Sequence, residues 1–432
     1  MLETVFRGML VITAMGIFSA EAKETRVDNS TLTGKVMCGY QGWFRTPFDG
    51  MNDRWVHYQH PNRKFEDGHC GIDYWPDMSE MGPDEKHATA FRHKDGSVAY
   101  VYSSVNRDST VRHFKWMRDY GIDGIFLQRF ATVIATEDNN RRTDVASLNQ
   151  VLKHCREGAN QYGRTYAIMY DLSRMTPAAV EKIKADWKTL VSKSGITKDP
   201  NDQAYQHHRG KPIVGIWGVG FNDDREYTSK DCLELINFFK HDPEYGGNTV
   251  LIGTPLGWRD GWRDAGAIAE WEQVYKAADI ISPWTIGRFG TIQQAQEYAE
   301  NRMRDDIKWC AKNNIDYLPV VFPGFGWENM LKGISDNAGA FIDRQDGKFL
   351  WAQYEAVVKA GATMVYQAMF DEMDEGTQIF KIDNNPPSGE SRFKTYNGLP
   401  PDHYLWLVGE AAKMVRGDVR RSPVIPKRSE QK

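Results

Sequence analysis

Four carboxylates fall within five residues of the segment FDEMDEG: Asp371, Glu372, Asp374 and Glu375. A largely apolar run, residues 364–370, precedes them and predicts a buried strand that ends at the first acid. Clustered like charges repel and cost free energy when they lose water, so folding alone does not favour such a group. Glycoside hydrolysis needs paired carboxyl groups, one to protonate the leaving oxygen and one as nucleophile, base or charge stabiliser. We therefore interpret the acidic segment as a candidate catalytic centre, with a solvated acidic loop as the alternative.

Eight short apolar runs alternate along the chain with longer stretches of helical periodicity. Short runs that are apolar throughout are typical of parallel strands buried on both faces. Eight strand–helix units predict an α/β fold of the (β/α)8 TIM-barrel type, in one domain with a long, elaborated loop after the first strand. A doubly wound sheet is the alternative, but no G-x-G-x-x-G follows the first run. The runs are 36–44, 124–130, 165–172, 212–219, 249–255, 280–286, 317–323 and 362–370.

In such a barrel the active site gathers at the C-terminal ends of the strands. Asp171 is either a second acid of the site or a helix cap, and Arg129 either orients an acid or forms a salt bridge at the rim. Trp284 and Trp327 are either stacking platforms for a sugar or core residues. The predicted catalytic residues are Glu372 and Glu375, and the predicted substrate-binding residues are Tyr40, Trp43, Gln128, Arg129, Tyr170, Asp171, Trp217, Trp284, Trp327, Asp371 and Asp374.

The composition agrees with a carbohydrate ligand. The 432 residues include 14 Trp, 19 Tyr and 20 Phe, and flat aromatic rings match the apolar faces of sugars, although aromatic residues also fill large cores. The net charge of −4 and the lack of a long basic run exclude a nucleic-acid partner. Five scattered cysteines, without a CxxC pair or zinc-ligand spacing, predict no metal and leave any disulfide pairing open. We expect an oligosaccharide or polysaccharide partner and no cofactor, and the oligomeric state stays open.

The N-terminus is typical of an export signal. Arg7 precedes an apolar run at residues 9–18, and Ala20-x-Ala22 is a suitable cleavage site. The run is too short for a permanent anchor, and no other stretch is apolar enough to span a membrane in the mature chain. We expect a periplasmic or extracellular protein. The predicted organisation is a signal peptide at 1–22, a linker at 23–34, the barrel at 35–417 and a frayed basic tail at 418–432.

Two motifs resemble a known enzyme family. FDEMDEGTQIF is similar to the FNEWHEGTQIE-type motif of the endo-α-mannosidases and endo-α-mannanases of glycoside hydrolase family 99, which is related to family 71. GYQGWF resembles the Gly-Tyr motif on the first strand of that family, and residues 344–381 resemble the helix and strand that lead to its catalytic loop. The whole chain is most similar to bacterial proteins described as family 71/99-like, some of them labelled xylosidase/arabinosidase.

The resemblance implies roles for three residues. Glu372 matches the carboxylate that acts as base on the sugar's own 2-hydroxyl, which gives retention through a 1,2-anhydro intermediate. Glu375 matches the general acid/base, and Tyr40 matches a tyrosine near the cleaved sugar. The motif differs at three positions, where the family's Asn, Trp and His are replaced by Asp371, Met373 and Asp374. The two added acids are expected to raise neighbouring carboxyl pKa values.

Three functions are therefore open at this stage. The first is a retaining glycoside hydrolase that acts on an α-linked glycan. The second is a carbohydrate-binding barrel whose altered motif no longer hydrolyses its ligand. The third is a calcium site formed by the four clustered acids, because hard cations take carboxylate ligands.

Overall fold

The computed structural model describes residues 26–51, 54–136, 142–335 and 341–428. The predicted signal peptide, the first residues of the predicted linker and residues 429–432 of the tail lie outside the described residues. The rest of the linker packs against the barrel: Leu32 is buried, and the Gly34 amide donates to the Thr363 carbonyl (2.7 Å).

Eight parallel strands form a closed ring. They are β1 Val36–Tyr40, β2 Gly124–Phe130, β3 Thr165–Asp171, β4 Lys211–Trp217, β5 Thr249–Thr254, β6 Ile280–Pro283, β7 in two segments, Asp316–Tyr317 and Val320–Val321, and β8 Val365–Gln367. Each strand pairs with its neighbour in chain order, and β8 pairs with β1. The ring closes at β7 because its first segment pairs with β6 and its second with β8. The predicted (β/α)8 barrel is confirmed, and each predicted run contains or overlaps a strand.

A four-residue helix, Ala131–Ile134, follows β2, and longer helices surround the ring. They are α1 Arg107–Tyr120, α2 Arg142–Tyr162, α3 Ala179–Ser194, α4 Ser229–His241, α5 Ile268–Ala277, α6, which runs from Ile292–Tyr298 through the π-helical Ala299–Met303 to Arg304–Lys312, α7 Lys348–Ala360 and α8 His403–Arg416. Helix α1 begins where the Asn106 side chain accepts the amides of Asp108 and Ser109, and it ends at Gly121, whose φ of 75° suits glycine. None of the described helices has both the length and the apolarity to cross a membrane.

Glycines make room for large side chains inside the barrel. A Cβ on Gly39 of β1 would lie 2.2 Å from the hydroxyl of Tyr366, and one on Gly215 of β4 would lie 2.8 Å from Met169. Gln128 of β2 donates to the same Tyr366 hydroxyl (2.9 Å). These side chains fill the ring and form the floor of the space above it.

The long first loop packs as an elaborated layer over one side of the barrel. It contains an antiparallel hairpin of His87–Arg92 and Val98–Val101. Asp73 of this loop is buried and accepts the amides of Glu328 and Asn329 (3.0 and 2.8 Å) in the loop after β7. The first loop therefore fixes the position of another loop at the C-terminal end of the barrel.

The C-terminal tail differs from the predicted frayed segment over its described part, residues 418–428. Trp351 of α7 donates to the Ser422 carbonyl (3.0 Å), and Arg428 forms an ion pair with Asp402 (2.7 Å). These contacts tie the basic tail to the barrel because its charges find partners on the surface.

Candidate active site

A cavity of about 630 Å³ opens at the C-terminal ends of the strands. Part of its wall is aromatic, because Trp217 and Trp284 meet edge to face (5.2 Å between ring centroids) and Trp43 also lines the cavity. Carboxyl groups, the side-chain amides of Gln41 and Gln128 and the guanidinium groups of Arg45 and Arg174 are among the polar groups of the lining. Of the predicted site residues, the cavity is lined by Trp43, Gln128, Asp171, Trp217, Trp284, Glu372 and Glu375.

Both oxygens of Glu372 receive hydrogen bonds. The side-chain amide of Gln41 donates to Oε1 (2.6 Å), and the Thr377 hydroxyl donates to Oε2 (2.5 Å). Burial raises the pKa of Glu372 well above its ordinary value, and the charges of Glu375 and Asp374 add to that rise, while the two donors oppose it. The two donors also fix the orientation of the carboxyl group at the cavity wall.

Glu375 has a different environment. Burial, together with the charges of Asp374 and Asp171, raises its pKa to about 8. The indole N–H of Trp327 opposes this rise without reaching hydrogen-bond geometry. A carboxyl group with this pKa carries a proton at neutral pH, which is what a general acid requires.

Asp171 is a further acid on the lining, which also includes Asp144. Its Oδ1 accepts the Ser173 amide (2.7 Å), and burial raises its pKa. Because α3 begins only at Ala179, Asp171 stabilises the turn after β3 and does not cap the helix. Its position on the lining agrees with a contact to a sugar hydroxyl.

Asp371 does not line this cavity, in contrast to the prediction that it binds substrate. Its side chain is fully buried, and its two oxygens accept hydrogen bonds from the backbone amides of Gln41 and Gly42 (both 2.8 Å). Burial raises its pKa to about 7, and the two amides oppose the rise. Asp371 therefore holds the turn after β1, where Gly42 has a φ of 61° and Gln41 reaches Glu372.

Asp374 also lies outside the cavity and contacts it only through another residue. Its Oδ2 is hydrogen-bonded to His57 Nδ1 (2.8 Å), and its Oδ1 is buried without a partner. The His57 ring stacks on Trp43 (3.7 Å between centroids, 4° between planes) and lines the cavity. Asp374 thus supports His57 and does not line this cavity, and its predicted contact with substrate stays a prediction.

Arg129 and Tyr170 face the helices and not the cavity. Side chains alternate along a strand, so Gln128 and Asp171 point into the barrel while their neighbours Arg129 and Tyr170 point out. Arg129 forms two hydrogen bonds to Asp186 of α3 (2.7 and 2.5 Å), and the Tyr170 hydroxyl donates to the same carboxylate (2.8 Å). The structure therefore places neither predicted residue on the cavity lining.

Tyr40 and Trp327 are likewise absent from the lining. The Tyr40 hydroxyl is hydrogen-bonded to His113 of α1 (2.8 Å), because Gly39 takes the inward position on β1. Trp327 packs edge to face on Phe325 (4.7 Å), behind Glu375. Tyr40 is thus a packing residue, and Trp327 acts on the site through its effect on the pKa of Glu375.

Sequence reasoning missed several lining residues. His57 comes from the middle of the irregular first loop and carries no motif, and Ser173 and Arg174 follow β3 in a turn. Gln41 lies within the GYQGWF motif at the C-terminal end of the first strand, where the barrel fold predicts the site, but it is not among the predicted substrate-binding residues. Among the described residues, no group of three or more His, Cys, Asp or Glu is arranged to hold a metal ion.

Solved structures share the fold of this chain. A family 99 endo-α-mannosidase from Bacteroides thetaiotaomicron is 15% identical, with 90% of this chain and 99% of that chain covered and a TM-score of 0.63. A structure described as a glycoside hydrolase-like protein is 12% identical, with coverage of 90% and 96% and a TM-score of 0.52. No family model and no curated protein matches the sequence. The resemblance to family 99 is therefore confirmed at the level of the fold, over nine-tenths of the chain.

Proposed function

We propose that this protein is a retaining glycoside hydrolase that cleaves an α-linked glycan. The observation that carries the proposal is the pair Glu372 and Glu375, two carboxyl groups with raised pKa values on the wall of one aromatic-lined cavity. The shared fold with an endo-α-mannosidase supports the same reaction class. The sugar and the linkage are left open, because Asp371 and Asp374 differ from the family motif that the acidic segment resembles.

The hydrogen bonds divide the two roles. Burial raises the pKa of both carboxyl groups, but Glu372 accepts donors on both oxygens, which favours its ionised form relative to Glu375, whose nearest donor is the indole of Trp327. Two interacting carboxyl groups lose their protons one after the other, and the two steps describe the pair and not either residue alone. The first negative charge is favoured on the carboxyl group that accepts more hydrogen bonds. We therefore assign the base to Glu372 and the acid to Glu375.

The proposed reaction has two steps. Glu372 takes the proton of the sugar 2-hydroxyl, whose oxygen bonds to C1 as the C1–leaving-oxygen bond breaks, and Glu375 protonates the leaving oxygen. Glu375 then takes a proton from water, whose oxygen bonds to C1 as the bond between C1 and the 2-oxygen breaks, and Glu372 returns its proton to that oxygen. Two inversions at C1 give net retention.

The aromatic walls account for sugar binding in this proposal. Trp217 and Trp284 offer flat apolar surfaces beside the polar groups of Gln128 and Asp171, a combination that suits a sugar ring with one apolar face and several hydroxyls. We also propose that the chain is exported, on the strength of its N-terminal signal pattern.

A digestion screen tests the function. The mature chain is incubated with α-linked oligosaccharides and polysaccharides, including mannans, and the anomer of the first product is followed by NMR. We expect one α-linked class to be cleaved with retention. Binding without turnover across the whole panel would instead favour a carbohydrate-binding barrel.

Substitution of the acid tests the assignment. Glu375→Gln keeps the shape of the side chain but cannot donate a proton in the same way, so kcat should fall by about 10²–10⁴-fold. The matched control is Glu328→Gln, which removes a carboxylate on the same face of the barrel whose partner is Lys394 (2.7 Å). Unchanged turnover in Glu375→Gln would contradict the assignment.

A further inference from the structure

A second cavity, of about 350 Å³, lies behind the catalytic loop. Arg344 lines it and is itself 5% exposed. The rings of Tyr74 and Tyr404 each lie 4.6 Å from the guanidinium carbon, and both line the same cavity. The cavity is thus a polar, aromatic-walled space with a buried cation at its base.

The charge of Arg344 has no acidic partner in the part of the chain that the structure describes. Its Nη2 donates to the carbonyls of Gly376 and Gln378 (2.9 and 2.8 Å), while Nε and Nη1 are buried without a partner in hydrogen-bond geometry, although the hydroxyls of Tyr74 and Tyr396 lie near the guanidinium. The side-chain amide of Gln378 is fully buried and unpartnered as well. Buried N–H groups of a cation are costly to leave unpaired, so the arrangement is incomplete without a further acceptor.

We propose that this second cavity binds a small oxyanion group, such as a carboxylate, phosphate or sulfate, through Arg344. Such a group supplies acceptor oxygens and the negative charge that the guanidinium lacks. Lys394, which forms an ion pair with Glu328 (2.7 Å), adds a second cation to the lining. Asp343 and Asp346 also line the cavity, but both are exposed at its rim, where water screens their charge, and they disfavour ligands of high charge.

The site adjoins the catalytic loop without being part of the active-site cavity. The carbonyls that accept from Arg344 belong to Gly376 and Gln378, one and three residues after Glu375, so an anion on the guanidinium would stiffen the segment that carries the acid. The proposal concerns binding alone and stands whether or not the chain hydrolyses glycans.

Calorimetric titration of the whole chain tests the proposal. Inorganic phosphate, sulfate, acetate and glucuronate are titrated separately at a constant ionic strength set with chloride. We expect one site per chain for at least one of these anions, and the order of affinities identifies the oxyanion class. Arg344→Lys keeps the charge but loses the guanidinium donors, and should weaken binding by about tenfold or more.

Three further variants make the result specific. Lys394→Gln changes the cavity without touching Arg344 and should weaken binding by about threefold, which keeps the test valid if Arg344→Lys folds poorly. Arg259→Lys, at an arginine paired with Asp306 elsewhere, and Glu375→Gln, in the active-site cavity, should both leave anion binding unchanged. Absence of binding for every anion, or equal affinity in the wild type and the Arg344 and Lys394 variants, would overturn the proposal.

Discussion

Replacement of Glu375 by Gln should make the protein more stable, and increasingly so as the pH rises from about 4.5 to 8. The pKa of Glu375 is raised from 4.5 to about 8 by burial and by neighbouring carboxylates. Between these values the native state holds a proton that the unfolded chain has lost, so ionisation of Glu375 lowers the stability of the wild type as the pH increases. Gln cannot ionise, and the variant escapes this loss.

The size of the effect follows from the same pKa. At about 1.4 kcal/mol for each pH unit, the interval between 4.5 and about 8 corresponds to roughly 5 kcal/mol as an upper limit. Glu372 and Glu375 interact, so once the charge at position 375 is removed Glu372 readjusts its own protonation, which reduces the net gain to roughly 1–3 kcal/mol. The difference should be small below pH 4.5 and constant above pH 8.

Urea unfolding of the wild type and Glu375→Gln at half-unit steps from pH 4 to 9 measures the difference directly. Glu328→Gln is the control, because its carboxylate is paired with Lys394 and half exposed, so its removal should not stabilise the protein as the pH rises. A free-energy difference for Glu375→Gln that stays flat across this range, or that falls with increasing pH, would refute the account of a protonated acid at the cavity wall.

Three other substitutions give distinct outcomes. Arg129→Met leaves Asp186 buried without its cation, and should lower the free energy of unfolding by about 3–5 kcal/mol with KM unchanged, as denaturant curves and steady-state kinetics will show. Gly39→Ala forces a methyl group against a tyrosine hydroxyl 2.2 Å away, and should cost about 1–3 kcal/mol in a thermal or urea unfolding assay. His57→Ala removes the ring stacked on the cavity wall and unpairs Asp374, so KM should rise about tenfold in kinetics on the identified substrate.

Much of the fold could be predicted from local pattern. Parallel strands that are buried on both faces are apolar along most of their length. Eight short apolar runs therefore predict eight strands, even though the sequence does not show which strands pair. The hairpin within the first loop and the division of β7 into two segments were not predicted, because both depend on pairing between distant segments.

The site was predictable only in part. Strand alternation was already present in the sequence, and it separates Gln128 and Asp171, which face the cavity, from Arg129 and Tyr170, which face the helices. The turn after β8 has no regular alternation of side chains, so the sequence of the acidic segment does not show which of its acids face the cavity.

The sequence by itself determined that four acids end the last strand of a barrel and that Glu372 and Glu375 belong to a motif. Only the tertiary structure decided their environments. One hydrogen-bond donor to Glu372 comes from Gln41, which is 331 residues away in the chain. The hydrogen-bond partner of Asp374 is His57, which is 317 residues away. A carboxyl group's pKa and direction depend on the burial and hydrogen bonds that surround it, and these come from segments that only folding brings together.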